Sequence, residues 1–304
     1  MNLAELSILV ADEDKAIAYV ERLRWPTGEP TCPHCDTTGR AYRLKSRRGL
    51  WKCGACRKQF TVRIGSIFEG SPIPLGKWIL AIHLMCSSKK GFSSNQLKRE
   101  LGISYQSAWF LTHRIRLAMA QEPLSSLLGA GGGVVEIDET FIGGRKRANF
   151  HRNKTKEAGK KVAVMTLIDR EGDARTFMVP NTKKKTLQAI ARPNIDGTAT
   201  IITDGNRSYD GLYKHFRGHF AVDHSKEFVR GLIIHTNFAE SYHSLLKRAI
   251  FGSYHHISER HLPRYLAEFE LRWNTRKMSD GERTERVIKA AEGKRLTYRP
   301  LVSH

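Results

Sequence analysis

The stretch VVEIDETF (residues 134–141) marks a change of texture in this chain of 304 residues. Its Val, Ile, Thr and Phe residues make it a β-like run. Just before it, GAGGG (129–133) is the most flexible stretch of the sequence and reads as a linker and the main domain boundary. Two more β-like runs follow, Val162–Ile168 and Thr176–Val179, with DREG (169–172) as a plausible hairpin turn. Lys184–Ala191 has helical spacing, Thr198–Thr203 is strand-like, and most of the chain from Ala239 onward reads as helix. Strands and helices therefore share one α/β domain, expected over 134–276, with a basic C-terminal tail over 277–304.

Upstream of that boundary the texture is basic and helical. A helical pattern from Leu3 to Arg24 ends at PTGEP (26–30), and two cysteine pairs follow directly. Cys32 and Cys35 are separated from Cys53 and Cys56 by 17 residues, the spacing of a four-thiolate zinc ribbon within a segment expected over 1–70. Four sulfurs close the tetrahedral shell of Zn2+, so the metal is expected to be structural. Cys86 reads as a core cysteine. Residues 40–58 carry eight Lys/Arg and no acid, and Arg47, Arg48 and Lys52 among them are candidate phosphate contacts.

Residues 71–122 read as three helices broken at Gly91 and Gly102, ahead of a linker over 123–133. Leu97 and Leu101 on one helix and Ala108, Leu111, Ile115 and Ala118 on the next form apolar stripes across a glycine turn, the geometry of a DNA-reading helix-turn-helix. Gln106, Ser107, Phe110, His113 and Arg114 are then expected off the packed stripe, facing DNA.

The charge supports that direction. Lys and Arg number 51 against 30 Asp and Glu, a formal net charge of +21 with a sequence pI near 10.0, which favours a polyanionic partner. No apolar run approaches the ~18 residues of a membrane span. The acidic start, MNLAELSILVADEDK, lacks the basic region of a signal peptide, so a cytoplasmic protein acting on DNA, with no membrane partner, is expected.

Asp138 in its β-run and Asp204 at the end of another are each compatible with ordinary turn chemistry. A third acid comes from the helical segment 237–250. At about 100° per residue, Glu240, His243, Ser244 and Lys247 share its polar face, with Glu240 and Lys247 roughly 10 Å apart along the axis.

Asp138, Asp204 and Glu240, with 35 residues between the last two and Lys247 seven after the glutamate, resemble the DDE signature of transposases and retroviral integrases on an RNase H-like fold. The stretches IGSIFEGSPIPLGKW (64–78), HTNFAESYHSLLKR (235–248), GSYHHIS (252–258) and EFELRWNTR (268–276), behind the ribbon, are similar to the insertion sequence 1595 family of bacterial transposases, also called ISXO-two-like. The resemblance runs from about Asp12 to Arg276. It implies a multidomain α+β chain: an N-terminal zinc ribbon, a helix-turn-helix, then an α/β RNase H-like catalytic domain.

What the resemblance implies chemically is two Mg2+ or Mn2+ ions held by Asp138, Asp204 and Glu240. Water would free a 3′-hydroxyl at the transposon end, and that hydroxyl would attack target DNA. The partners are double-stranded DNA, as terminal inverted repeats and target, and a second copy or more of the chain on that DNA. The family often carries Asn at the third acidic position. Asn237 and Glu240 are both present here, and spacing to Lys247 assigns the metal role to Glu240. Lys247 would hold a phosphate and His243 would steer a water or phosphate. Residues 145–161, which include Arg145, Lys146 and Arg147, hold eight Lys/Arg against one acid and read as a basic DNA-contacting loop. A Mg2+-dependent nuclease without strand transfer, or a ribbon and helix-turn-helix DNA-binding regulator, would share many of these features.

Overall fold

The computed structural model describes residues 3–120, 126–143, 161–222 and 234–302, and the chain divides into two compact units, 1–120 with 275–304 and 121–274. The first unit opens with α1 (Leu3–Ala11) and α2 (Glu13–Arg24). Asp12 separates them because its side chain accepts the amides of Asp14 and Lys15, the N-cap geometry that starts a new helix. Strands β1 (Ala41–Arg43), β2 (Trp51–Cys53) and β3 (Gln59–Phe60) form an antiparallel ribbon sheet. Helices α3 (Leu75–Ser87), α4 (Ser94–Leu101) and α5 (Tyr105–Met119) then bury Trp78, Ile79, Ile82, Leu97, Leu101, Leu111 and Ile115. Gly102 closes α4 at φ +59, where a side chain would be strained, and Ser104 caps α5 through the Ser107 amide at 3.1 Å.

The second unit begins before its first strand. Leu128 is buried, its amide donates to Asn194 O at 3.0 Å, and the Gly129 amide donates to Asp169 Oδ2 at 2.9 Å. This corrects the reading of 123–133 as a linker for the residues described from 126 onward. Gly129 sits at φ +71, where a Cβ would meet Ala199 and Val135 at 2.6 and 2.8 Å. Close packing and left-handed backbone, not flexibility, require glycine there.

Strands β4 (Val134–Gly143), β5 (Lys161–Asp169) and β6 (Ala174–Val179), helix α6 (Lys184–Asn194), strands β7 (Thr200–Asp204) and β8 (Gly218–Val222), and helices α7 (Asn237–Ala249) and α8 (Leu262–Asn274) follow. The sheet order is β6-β5-β4-β7-β8. The first three strands are antiparallel neighbours, while β7 joins β4, and β8 joins β7, in parallel. Parity sorts the side chains. Val135, Ile137, Met165 and Leu167 pack with Leu187 and Ala191 of α6 on one face, whereas Ile142, Val164 and Ile168 pack with Tyr242 and Leu246 of α7 and Phe269 of α8 on the other. Asp138, in phase with Ile142, therefore belongs to the α7 face.

Residues 277–304 are not a tail. They form α9 (Asp280–Lys289) and α10 (Tyr298–Val302), which complete the first unit. Ser279 and Glu282 make a capping box, Val287 and Ile288 are buried, and the Gly293 amide donates to Gly65 O at 2.8 Å. The lysines and arginines lie among enough apolar residues to build a helical face, and composition alone concealed it.

Candidate metal centres

The four ribbon cysteines bring their sulfurs within 4.8 Å of one another. The Cys32–Cys56 and Cys35–Cys53 sulfur pairs are 3.6 and 3.7 Å apart, close to the ~3.8 Å edge of a tetrahedron with Zn–S bonds of about 2.3 Å. The Thr37 hydroxyl and amide lower the Cys35 thiol to about 6, while burial raises that of Cys32 to about 12. The donor set fits structural zinc.

A second cluster forms where β4 runs on past the end of β7. The last parallel pair is Ile137 with Thr203, so the next residues, Asp138 and Asp204, emerge side by side. A carboxylate oxygen from each, and one from Glu139, lie within 4.8 Å of one another. Glu139 was not foreseen, because strand alternation sends it to the face opposite Asp138. There it accepts a hydrogen bond from Tyr209, a residue of the 3-10 turn Arg207–Tyr209. Burial, with the charges of Asp204 and Asp138 behind it, pushes Glu139 up to about 7 against the opposing Tyr209 hydrogen bond. Burial also raises the Tyr209 hydroxyl well above its ordinary value.

Helix α7 supplies the rest of the pocket. Asp138, Glu139, Thr140, Glu240, His243, Ser244, Lys247, Arg248 and Phe251 line one concavity. Asn237 does not line it; this residue opens α7, is exposed, and donates its amide to His235 Nδ1 at 3.4 Å. His243 is buried, although the helical wheel had placed it on the polar face. Its Nδ1 lies 3.2 Å from Asp138 Oδ2 and its Nε2 2.9 Å from Thr166 Oγ1, so it bridges the carboxylate to β5. Lys247 and Arg248 are exposed at the other end.

The orientation of α7 traces to a residue that sequence reading passed over. Glu136, fully buried and in phase with Asp138 on β4, accepts the amides of Phe238 and Ala239 at 2.8 and 3.0 Å through Oε2. Through Oε1 it accepts Arg170 Nε at 2.8 Å and lies 3.3 Å from His235 Nδ1. Thr236, at the N-cap position, makes no side-chain cap bond, so the helix start is capped from the strand.

Among the expected DNA contacts, Arg47 and Gln106 are exposed, Ser107 and Lys52 half-buried, and Arg48 pairs with Asp14 at 3.0 Å. His113 and Arg114 are corrections: both are buried. Arg114 donates to Glu69 O at 2.5 Å and lies over the Trp78 and Phe110 rings, and burial lowers it to about 10. Helix α9 packs on α5, and Tyr298 of α10 meets its Trp109 and Phe110 rings, so more of α5 is enclosed than two helices alone would cover. Arg145, Lys146 and Arg147 lie outside the described residues.

A ribbon built for zinc and a carboxylate pocket on an α/β sheet define a two-unit protein with two different metal-capable centres. Residues 11–59 match the transposase zinc-ribbon domain and residues 130–274 the ISXO2-like transposase domain. The chain belongs to the ISXO2-like transposase family. It is 26% identical over 297 residues to an uncharacterized protein in transposable element ISH50 of Halobacterium salinarum, a match covering 92% of this chain and 97% of that one. Solved structures of the Mos1 strand transfer complex and of a pre-cleavage Mos1 transpososome are each 14% identical, with TM-scores of 0.25 and 0.27. They cover 72% of this chain, and 79% and 80% of theirs.

Proposed function

We propose that this transposase binds the ends of its insertion sequence, cleaves there to free a 3′-hydroxyl, and joins that hydroxyl to target DNA. The observation that carries the reading is the meeting of Asp138 and Asp204 at the end of the β4–β7 register, beside a pocket that Glu240 and Lys247 enter from α7. The order β6-β5-β4-β7-β8, three antiparallel strands followed by two parallel ones, supports an RNase H-like unit.

Hard carboxylate oxygens suit Mg2+ or Mn2+, and two such ions held there would stabilise the attacking and leaving oxygens of an in-line phosphoryl displacement. Asp138 would serve both ions, with Asp204 and Glu240 serving one each. His243, held by Thr166, fixes the rotamer of Asp138. Lys247 and Arg248 place positive charge at the far end of the pocket, where a strand phosphate would be held. In the first unit, exposed Gln106 at the start of α5 and the basic ribbon residues Arg47 and Lys52 supply base and backbone contacts, making α4 and α5 a helix-turn-helix reader.

The test combines purified protein, Mg2+, a labelled transposon-end duplex and a target plasmid. Joined product supports the proposal. Cleavage without joining indicates a nuclease, and binding alone a regulator.

A further inference from the structure

The carboxylates proposed to act together come from two separately built elements, a strand and a helix more than a hundred residues apart in sequence. Their mutual placement needs a physical link. One part is His243, which already belongs to the pocket. The other is Glu136, which touches nothing in the pocket yet joins the strand to the start of the helix.

Resting on the proposed function, we infer that Glu136 is a positioning residue for metal binding: by capping α7 from β4 it sets the distance between Asp138 and Glu240. A single residue, Ile137, separates Glu136 from Asp138 along one strand, and both side chains lie on the α7 face. A strand repeats every second residue at about 6.6–6.8 Å, so the cap and the first metal-capable carboxylate are rigidly coupled. The same carboxylate grips Phe238 N and Ala239 N, and Glu240 is the next residue of the helix. The grip is thus one residue from the side chain whose position matters.

The surroundings hold the cap itself still. Arg170 reaches Glu136 through Nε and also donates through its Nη2 to His235 O at 2.8 Å, which ties the residue before Thr236 to the β5–β6 turn. Its guanidinium carbon lies 6.0 Å from the centre of the Phe238 ring, and the His235 ring stacks on that ring at 6.2 Å. A fully buried carboxylate without a cationic partner would be strongly destabilising, so Arg170 allows Glu136 to remain an acceptor for the helix amides. A carboxylate at a helix N-terminus also complements the helix dipole. The arrangement is a supporting shell of the kind that tunes metal ligands without touching the metal.

Full-length protein tests this with the rate of transposon-end cleavage against Mg2+ concentration, alongside end binding in Ca2+. Glu136→Gln leaves a side-chain oxygen for one neighbour but puts an amide donor where another donor already stands. It should raise the Mg2+ needed for half-maximal rate about 10–100-fold while end binding stays within about twofold. Glu136→Asp keeps the charge beside Arg170, and so preserves folding, but withdraws the cap by one methylene; it should raise the Mg2+ requirement by a smaller factor. The Glu136→Gln and Arg170→Gln double variant restores matched donors and acceptors and should recover much of the loss. An unchanged Mg2+ requirement in both single variants overturns the inference. So does a rate loss that follows the unfolded fraction by circular dichroism with the Mg2+ half-point unmoved. Asp138→Asn, run in parallel, separates this failure from that of the proposed function: full activity there defeats the function, whereas an inactive Asp138→Asn with normal Glu136 variants defeats only the positioning role.

Discussion

The two metal-capable centres are built in opposite ways. In the ribbon, all four ligands lie between Cys32 and Cys56, and the segment between them carries only two short strands. In the second unit, Asp138, Asp204 and Glu240 span more than a hundred residues and arrive on two strands and a helix. A ribbon whose four ligands lie within one short segment is expected to depend on its metal to fold. The carboxylate pocket stands on a sheet with apolar clusters on both faces, so its fold does not depend on a cation and the site is free to serve chemistry.

Removing single charges from the proposed metal ligands should give the largest effect. Asp138→Asn, Asp204→Asn and Glu240→Gln each keep the shape but lose the charge that holds a divalent cation, and each should abolish detectable cleavage and joining while end binding persists. Asn237→Ala should remain near wild type, since Asn237 lies away from the pocket lining. Gel assays of product in Mg2+ with binding in Ca2+ check both, and a dead Asn237→Ala beside an active Glu240→Gln would reverse the assignment of the third ligand.

The ribbon should respond in structure instead. Metal analysis should find one Zn2+ per chain, and Cys53→Ser should lose it, unfold the ribbon and weaken DNA binding, while the unit over 121–274 keeps its own melting transition. Calorimetry showing both units lost together would mean that the contrast between the centres is wrong.

Acid should separate the units further, because their pH responses have opposite sign. Thiolate ligands must be deprotonated, so the zinc-bound ribbon loses stability as pH falls. In the second unit Glu270 is pushed up to about 7 by burial, against hydrogen bonds from the Thr176 amide and hydroxyl. Its ordinary value is 4.5, so the native state favours the protonated form. That contribution is complete below about 4.5 and is lost as pH rises through about 7, on the order of 1–3 kcal/mol after allowance for relaxation. Melting without divalent ions should show this slope in the parent protein, with Glu139 adding to it in the same direction, and Glu270→Gln should reduce it.

The smallest expected effect concerns salt. Neutralising Arg145, Lys146 and Arg147 together should reduce the slope of log K against log salt by up to about 0.9 per lost phosphate contact. An unchanged slope would confine the electrostatic grip on DNA to other basic residues.

Much of this was legible in the residues. Cysteine spacing located the ribbon, β-like runs located β4 and β5, and the helical wheel placed Glu240 and Lys247 on one side of α7. The pocket lining joins both to Asp138. The wheel failed for His243, whose polar ring is buried because Thr166 and Asp138 satisfy both nitrogens. It failed for His113 and Arg114, both buried: Arg114 lies over Trp78 of α3 and donates to Glu69 O, contacts that the α4–α5 pair alone does not predict. Glu136 and Glu139 looked like ordinary strand glutamates, since neither capping a distant helix nor facing a partner tyrosine leaves a local pattern.

By itself the sequence determined what depends on near neighbours: a four-sulfur shell, the period of each strand and helix, the glycine at Gly102 and the overall positive charge. These follow from backbone geometry and side-chain chemistry over a few residues, or from composition. Tertiary structure alone decided which carboxylates meet, which cations are buried, and that residues 277–304 belong with the first unit. Those outcomes depend on strand register and on contacts between segments remote in the chain. Nothing in VVEIDETF announces that its first acid would cap a helix a hundred residues later, its second line a pocket, and its third join that pocket while accepting from a buried tyrosine.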